Sequence, residues 1–524
     1  MAEGIEKTRK RDNFTSGVAT LSLSVIVVKI IGLIYKIPML GLLGSEGMGY
    51  FNSAYEIYVL FCSVATTGLP VAMSVMIASE KSGSAHGIFR SAFKLFLMLG
   101  TLGAIVVFAF AKPFSVFLGS ENAALAILSI SPCVMLISLC GAYRGYFQGK
   151  GKMLPTAVSQ IIEALGKLIL GLIFAFIALR LGWGTPSVAA MAVLGLTLGT
   201  GVAALTLMIY KRLDGRNSEF IEPALGVCGK LLRFAIPVTL SSSVVSLTKV
   251  IDMSMILRRL RDIGFDSTEA FAAYGNYTTL ALPLFSLAPA LVTSVALPLI
   301  PALGQAIRDG DGEGQKRVAE NAIRLTALIA MPAGVGIALF AKPVLALIFS
   351  GQTAAVESTY PLLSLLGLSV AASCMITVEN ALLQAYMKPW IPIISTAVGS
   401  AFKIILAFIL IGNRNFGLLG APISTLFCDL VINAINFYFI EKEMPKRPRV
   451  ISLLLRPFCA AVIAVSLSRV AYNWMVTRLG EGRGQTLIAV ALAAVLYLIA
   501  SIIFGAVEKN EISSIFRRKK FECQ

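Results

Sequence analysis

Long runs of apolar residues, most of them twenty or more in length, alternate with short polar stretches along the whole chain. An α-helix needs about twenty apolar residues to cross hydrocarbon, whereas a barrel strand needs about ten alternating ones. Lipid offers no partner for a backbone N–H or C=O, so spanning segments must satisfy themselves as helices or as a closed barrel. The runs have helix length and no strict alternation. The pattern therefore predicts an all-α integral membrane protein of about fourteen transmembrane helices, at 15–42, 51–79, 88–111, 121–147, 154–180, 185–210, 229–257, 271–300, 319–341, 355–386, 389–412, 416–440, 450–476 and 484–507.

The pattern also repeats. Ala111-Lys112-Pro113 recurs as Ala341-Lys342-Pro343, and Gln148, Lys152 and Lys167 match Gln384, Lys388 and Lys403 at one fixed offset. Helices 1–6 and 7–12 thus read as two pseudo-symmetric six-helix lobes, with helices 13 and 14 outside the duplication. An even number of spans per copy makes the repeats parallel. The resulting division is a cytoplasmic N-terminus (1–14), an N-lobe (15–211), a cytoplasmic linker (212–228), a C-lobe (229–440), helices 13 and 14 (441–507) and a basic cytoplasmic tail (508–524). Two such lobes suit alternating access. The prolines Pro283, Pro289 and Pro298 in helix 8 each remove a backbone donor and favour a bend there.

Composition supports the membrane reading. Of 524 residues, 57% are hydrophobic and only 14% charged, where a soluble chain carries about a quarter. The net charge of +17 would suggest nucleic acid in a soluble protein. Here the basic residues sit in the loops and flanking turns, with about three times as many on one side as on the other. That excess places both termini in the cytoplasm and removes the case for nucleic acid. The first apolar run is too long for a signal-peptide core. The eight cysteines are scattered and His86 is the one histidine, so neither a metal site nor a catalytic triad is supported. The phosphate-binding pattern G-x-x-x-x-G-K-[ST] is absent, which argues against a chain that itself runs on ATP.

A charge at the bilayer centre costs about 2.5–3.5 kcal/mol on insertion scales, so each one calls for a reason. Helix 1 carries Lys29 and Lys36, two turns apart on one face and about 10 Å apart along the axis. Helix 7, its repeat partner, carries Lys249 and Asp252 at i, i+3. Either these two form a structural pair, or Lys249 faces Lys29 across a water-filled cleft. Glu56 of helix 2 is the expected counter-charge of Lys36. In helix 5, Glu163 and Lys167 at i, i+4 read as an internal pair. Lys403 of helix 11 has candidate partners in Glu379 of helix 10 and Asp429 of helix 12. The alternative there is a coupling site, with the carboxylates binding Na⁺ or H⁺ and Lys403 competing as a built-in cation. Arg258, Arg259 and Arg261 follow helix 7 on the outer side, either as a solvated helix end or as a basic rim that attracts an anion or holds a gate.

Several motifs have a family resemblance. Gly32-Leu33-Ile34-Tyr35-Lys36-Ile37-Pro38, Leu43-Gly44-Ser45-Glu46-Gly47-Met48-Gly49 and Gly68-Leu69-Pro70-Val71-Ala72 resemble the opening of the polysaccharide biosynthesis and stage V sporulation protein B family. Arg144-Gly145-Tyr146-Phe147-Gln148-Gly149, followed by Met153, Pro155-Thr156-Ala157, Ser159-Gln160 and Glu163, resembles its helix 4–5 segment. The likeness covers essentially all fourteen helices and is strongest in the first 170 residues. The family is related to lipid II flippases within the multidrug, oligosaccharidyl-lipid and polysaccharide exporter superfamily. The resemblance implies a V-shaped two-lobe transporter for a lipid-linked sugar pyrophosphate, serving wall, spore cortex or exopolysaccharide synthesis, with basic residues in its cavity and a lipid-tail groove at helices 13–14. Lys29 matches the family's deep helix 1 cation. The chain has lysines where lipid II flippases favour arginines, so bidentate phosphate recognition is lost there. Lys403 lies in a helix where some flippases of the superfamily bind sodium, and an ammonium there disfavours Na⁺.

The reading that follows is a flippase of the cytoplasmic membrane, acting as a monomer on a lipid-linked saccharide among membrane lipids, with wall-synthesis enzymes as candidate partners. It has no catalytic residues, metal or organic cofactor. Its substrate-binding cations are Lys29, Lys36 and Lys249; Glu56, Asp252, Arg258 and Arg259 are the polar residues of cavity and gate. The alternatives are a cation-coupled multidrug exporter, which calls for an anionic cavity, and a non-transporting scaffold or uncoupled scramblase.

Overall fold

The structure, a computed structural model, describes residues 2–63, 68–79, 85–214, 227–480 and 482–506. Most of the expected linker 212–228 and the basic tail 508–524 lie outside the described residues. Every regular element among the described residues is helical: α1 (Ala2–Ser63), α2 (Leu69–Ser79), α3 (Ala85–Ala109), α4 (Ala111–Leu118), α5 (Ala124–Gly149), α6 (Leu154–Arg180), α7 (Thr185–Asp214), α8 (Val227–Asp262), α9 (Ser267–Asn276), α10 (Leu282–Arg308), α11 (Gly312–Ile348), α12 (Thr353–Ala385), α13 (Trp390–Ile411), α14 (Gly420–Glu443), α15 (Val450–Leu479) and α16 (Arg483–Ile503), with short 3₁₀ or π turns between some of them.

Twelve helical runs among the described residues are long and apolar enough to cross a membrane. The count agrees with the expectation of about fourteen once two features are allowed for. In α1 the first expected span and the start of the second form one helical run, broken at Gly44, whose φ of 66° and ψ of 179° suit glycine almost alone, and α2 covers the end of the second. One residue turns the chain where a loop over 43–50 was expected. The other feature is α8, a 36-residue helix over the expected span 229–257 that is not among the twelve, which are counted over the described residues alone. The bend expected in helix 8 is a π turn over Tyr277–Ala281, between α9 and α10, with Pro283 just beyond it. Large apolar side chains such as Leu205, Ile405, Val470 and Leu498 stand on the outside of the helices, each 60% exposed or more. A face of that kind belongs in lipid.

The chain packs as two compact units, Met1–Thr279 and Leu280–Gln524. In the first, α1 packs against α5, α6, α7, α8 and α9, and α2 packs against α5 and α8. Thus α8 and α9, which the repeat assigns to the second lobe, pack with the first. Small residues set the closest approaches, as lipid-embedded helices require. A Cβ on Gly195 would fall 2.3 Å from the Cα of Gly171, and one on Gly166 would fall 2.5 Å from the Cα of Gly199, so α6 and α7 meet backbone to backbone. The bend of α1 meets α9 in the same way: a Cβ on Gly49 would lie 2.2 Å from the Phe271 carbonyl oxygen, and one on Gly275 would lie 2.3 Å from that of Ser45.

In the second unit α10 to α14 surround an apolar core that includes Val292, Leu303, Val370, Val378 and Leu383. α15 and α16 join α11 through Ala460, Ala461 and Ala464, with Tyr497 Oη donating to the Leu328 carbonyl at 3.1 Å. The repeat has a visible counterpart in each unit. Lys152 clasps Asp214 at the end of α7, and its offset partner Lys388 clasps Glu443 at the end of α14.

Candidate functional site

Four lysines of the first unit share one electrostatic neighbourhood. Lys29 and Lys36 come from α1, Lys167 from α6 and Lys249 from α8. Lys29 lies near enough to Lys249 for their charges to repel. Lys36 in turn interacts with Lys167, Glu56 and Lys29. Lys29 and Lys249 are exposed in the structure, whereas Lys36 and Lys167 are half-buried.

Each half-buried cation has a visible means of support. The Lys36 ammonium donates to the backbone carbonyl of Thr278 at 2.6 Å. Lys167 lies over three rings, with Nζ 4.1 Å from the centroid of Tyr55, 5.0 Å from that of Tyr35 and 5.5 Å from that of Phe51. Ring faces attract a desolvated ammonium by as much as about 2 kcal/mol, so the three rings replace part of the hydration that Lys167 loses. Tyr35 and Phe51 are fully buried, and the Gly44 bend brings both into the same box from opposite sides of α1.

Glu163 takes a different partner from the one that helix spacing suggests. It pairs with Arg144 of α5 at 2.8 Å, Arg144 Nε donates to Ser159 Oγ at 3.0 Å, and Tyr58 Oη donates to Glu163 at 3.4 Å. An i, i+4 spacing puts two groups on one face, but a neighbouring helix that offers a guanidinium fork competes better. Arg144 was legible only in the demand that a buried arginine makes for a carboxylate, and its position one turn from a helix end hides that demand.

The arginines at the end of α8 turn to α4. Arg258 donates to the Phe117 carbonyl through Nε and Nη2 at 3.1 and 2.9 Å and stacks on the Phe117 ring. Arg261 donates to the Gly119 carbonyl at 3.1 Å, while Arg259 pairs with Asp262 at 2.9 Å. Carbonyls at a helix C-terminus lack partners and attract cations, so Arg258 and Arg261 tie the end of α8 to the end of α4. Asp252 of α8 is half-buried.

The remaining candidates stand in the second unit. Asp429 accepts from Ser373 Oγ and feels the charge of Lys403. Glu379 is buried, with Asn436 as its neighbour and one oxygen, Oε2, without a hydrogen-bond partner. Asn436 also donates to Asn380 at 3.2 Å and accepts from Ser395 at 2.7 Å. Lys403 is thus set towards Asp429, and Glu379 belongs to a separate amide cluster. Among the described residues no group of three or more His, Cys, Asp or Glu side chains is placed to hold a metal ion.

The chain is 22% identical to Stage V sporulation protein B of Bacillus subtilis (strain 168), over 96% of this chain and 98% of that protein. It is also 22% identical to Lipid II flippase MurJ of the same organism, over 96% and 98%. Among solved structures, Lipid II flippase MurJ in an inward closed conformation superposes with a TM-score of 0.68 at 18% identity, covering 92% of this chain and 98% of that one. Residues 14–307 match the polysaccharide biosynthesis protein family. That match spans more than half of the sequence, all four clustered lysines included, and the chain belongs to the polysaccharide biosynthesis protein family.

Proposed function

We propose that this multi-pass membrane protein flips a lipid-linked saccharide pyrophosphate from the inner to the outer leaflet, with Lys29, Lys36, Lys167 and Lys249 receiving the pyrophosphate. The observation that carries the reading is the gathering of four lysines in one unit of a membrane transporter. A pyrophosphate does not enter hydrocarbon unaided, and ammonium groups beside low-dielectric walls attract it strongly. A multidrug exporter for cationic compounds needs the opposite sign. Translocation of a lipid-linked precursor is also what one Bacillus relative, Lipid II flippase MurJ, is named for.

With both termini in the cytoplasm, an anion travels outward along an inside-negative potential, a gain of about 2.3 kcal/mol per charge per 100 mV. The Lys403 charge beside Asp429 does in the second unit what a bound Na⁺ would do, so the potential is the simpler source of drive.

Complementation of a strain depleted of its lipid II flippase tests the proposal. Wild type should restore growth, and Lys29→Ala and Lys249→Ala should fail although expressed at equal levels. Full rescue by both variants contradicts a lysine-lined path. No rescue by well-expressed wild type rules out lipid II and turns the search to other glycan lipids.

A further inference from the structure

The π turn at Tyr277–Ala281 explains why Lys36 points where it does. In a π turn a carbonyl looks to the amide five residues on. For Thr278 that residue is Pro283, which has no N–H to give. The Lys36 ammonium supplies a donor to this carbonyl at 2.6 Å. Asn52, on the other side of the Gly44 bend, donates to the hydroxyls of Thr278 and Thr279 at 2.8 Å each. Two side chains of α1 therefore hold one turn, and the backbone contacts of Gly49 and Gly275 close the neighbouring surface. Lys36 is at the same time a member of the lysine cluster, within electrostatic reach of Lys29 and Lys167.

We infer that Lys36 is a two-position latch: with the lysine cluster empty its ammonium holds the Thr278 carbonyl, and an arriving pyrophosphate draws it away and frees the π turn. This rests on the reading of the cluster as a pyrophosphate receptor. A doubly charged oxyanion is a far better acceptor than a neutral carbonyl, and the lysine stem is long and flexible enough to change partners. Asn52 stays behind as the weaker hold, so occupancy loosens the turn without unfolding it. The turn lies where the chain passes from the first unit to the second. Lys36 thereby reports that the site is filled.

Hydrogen–deuterium exchange on the full-length protein in nanodiscs, with and without undecaprenyl pyrophosphate, tests the latch. Binding of the same lipid is measured alongside by native mass spectrometry. In wild type the lipid should raise exchange over 277–281 by about tenfold, the scale of one lost hydrogen bond to a charged group. Lys36→Ala should show the raised exchange without lipid and no further response. Asn52→Ala should raise the starting level yet keep both binding and the response to lipid. Lipid that binds wild type without changing exchange over 277–281 overturns the latch and leaves the receptor standing. Absence of binding to wild type overturns the receptor, and the latch with it. Lys36→Ala with wild-type exchange in the empty state overturns the latch whatever the lipid does.

Discussion

A lysine inside a membrane protein persists when rings, carbonyls or carboxylates replace the water it has lost. The first unit uses all three: rings for Lys167, a carbonyl for Lys36 and the nearby charge of Glu56. The pair of Arg144 and Glu163 lies beneath, with side chains 10% and 19% exposed. Removing one partner of such a pair leaves a buried charge alone, at a cost of about 3–5 kcal/mol. Glu163→Gln should therefore lower the melting temperature in detergent markedly, and Arg144→Met with Glu163→Leu should recover much of the loss. Equal melting of Glu163→Gln and wild type would show that the pair carries little. Tyr55→Leu removes the nearest ring from Lys167 and should weaken pyrophosphate-lipid binding by about tenfold or less, since a ring–ammonium contact is worth about 1 kcal/mol; unchanged affinity separates Lys167 from the site. Lys29, Lys36 and Lys249 were legible as residues because charge inside an apolar run is conspicuous. The Tyr35, Phe51 and Tyr55 box was not. Aromatic residues in apolar runs look like packing until a bend brings them around one cation.

At the scale of elements, glycine decides where helices touch and where they turn. Gly44 adopts a conformation that costs other residues about 1–3 kcal/mol. Gly44→Ala should lower thermal stability and disturb the Lys167 box that the bend assembles, measured as a melting shift together with lipid affinity. Neither changing would detach the bend from the site. Helix existence followed from apolar run length, whereas boundaries did not. A polar stretch over 43–50 reads as a loop, but helical backbone needs only one permissive residue to change direction. The π turn was foreshadowed only by Pro283, since a proline announces a lost donor without saying which register the chain then adopts.

For the molecule as a whole, the repeat in sequence is echoed in the paired clasps of Lys152 with Asp214 and Lys388 with Glu443. The repeat did not foretell that α8 and α9 pack with the first unit, because sequence offsets record ancestry and packing follows apolar faces. Orientation rests on charge and has a direct check. Cysteines placed at the exposed residues Trp183 and Met387 should differ in intact cells: an impermeant maleimide should label Trp183→Cys and spare Met387→Cys until the membrane is opened. The reverse pattern would invert the topology and the direction of flipping.

The central claim, that the lysine cluster receives a lipid-borne pyrophosphate, is met most directly by measuring affinity of the purified protein for undecaprenyl pyrophosphate and for undecaprenol. The account predicts binding of the pyrophosphate lipid, little binding of the alcohol, and a loss of about ten- to a hundredfold in Lys29→Ala and Lys249→Ala, the scale of one charged hydrogen bond. Equal affinity for both lipids, or lysine variants that bind as wild type does, would contradict it.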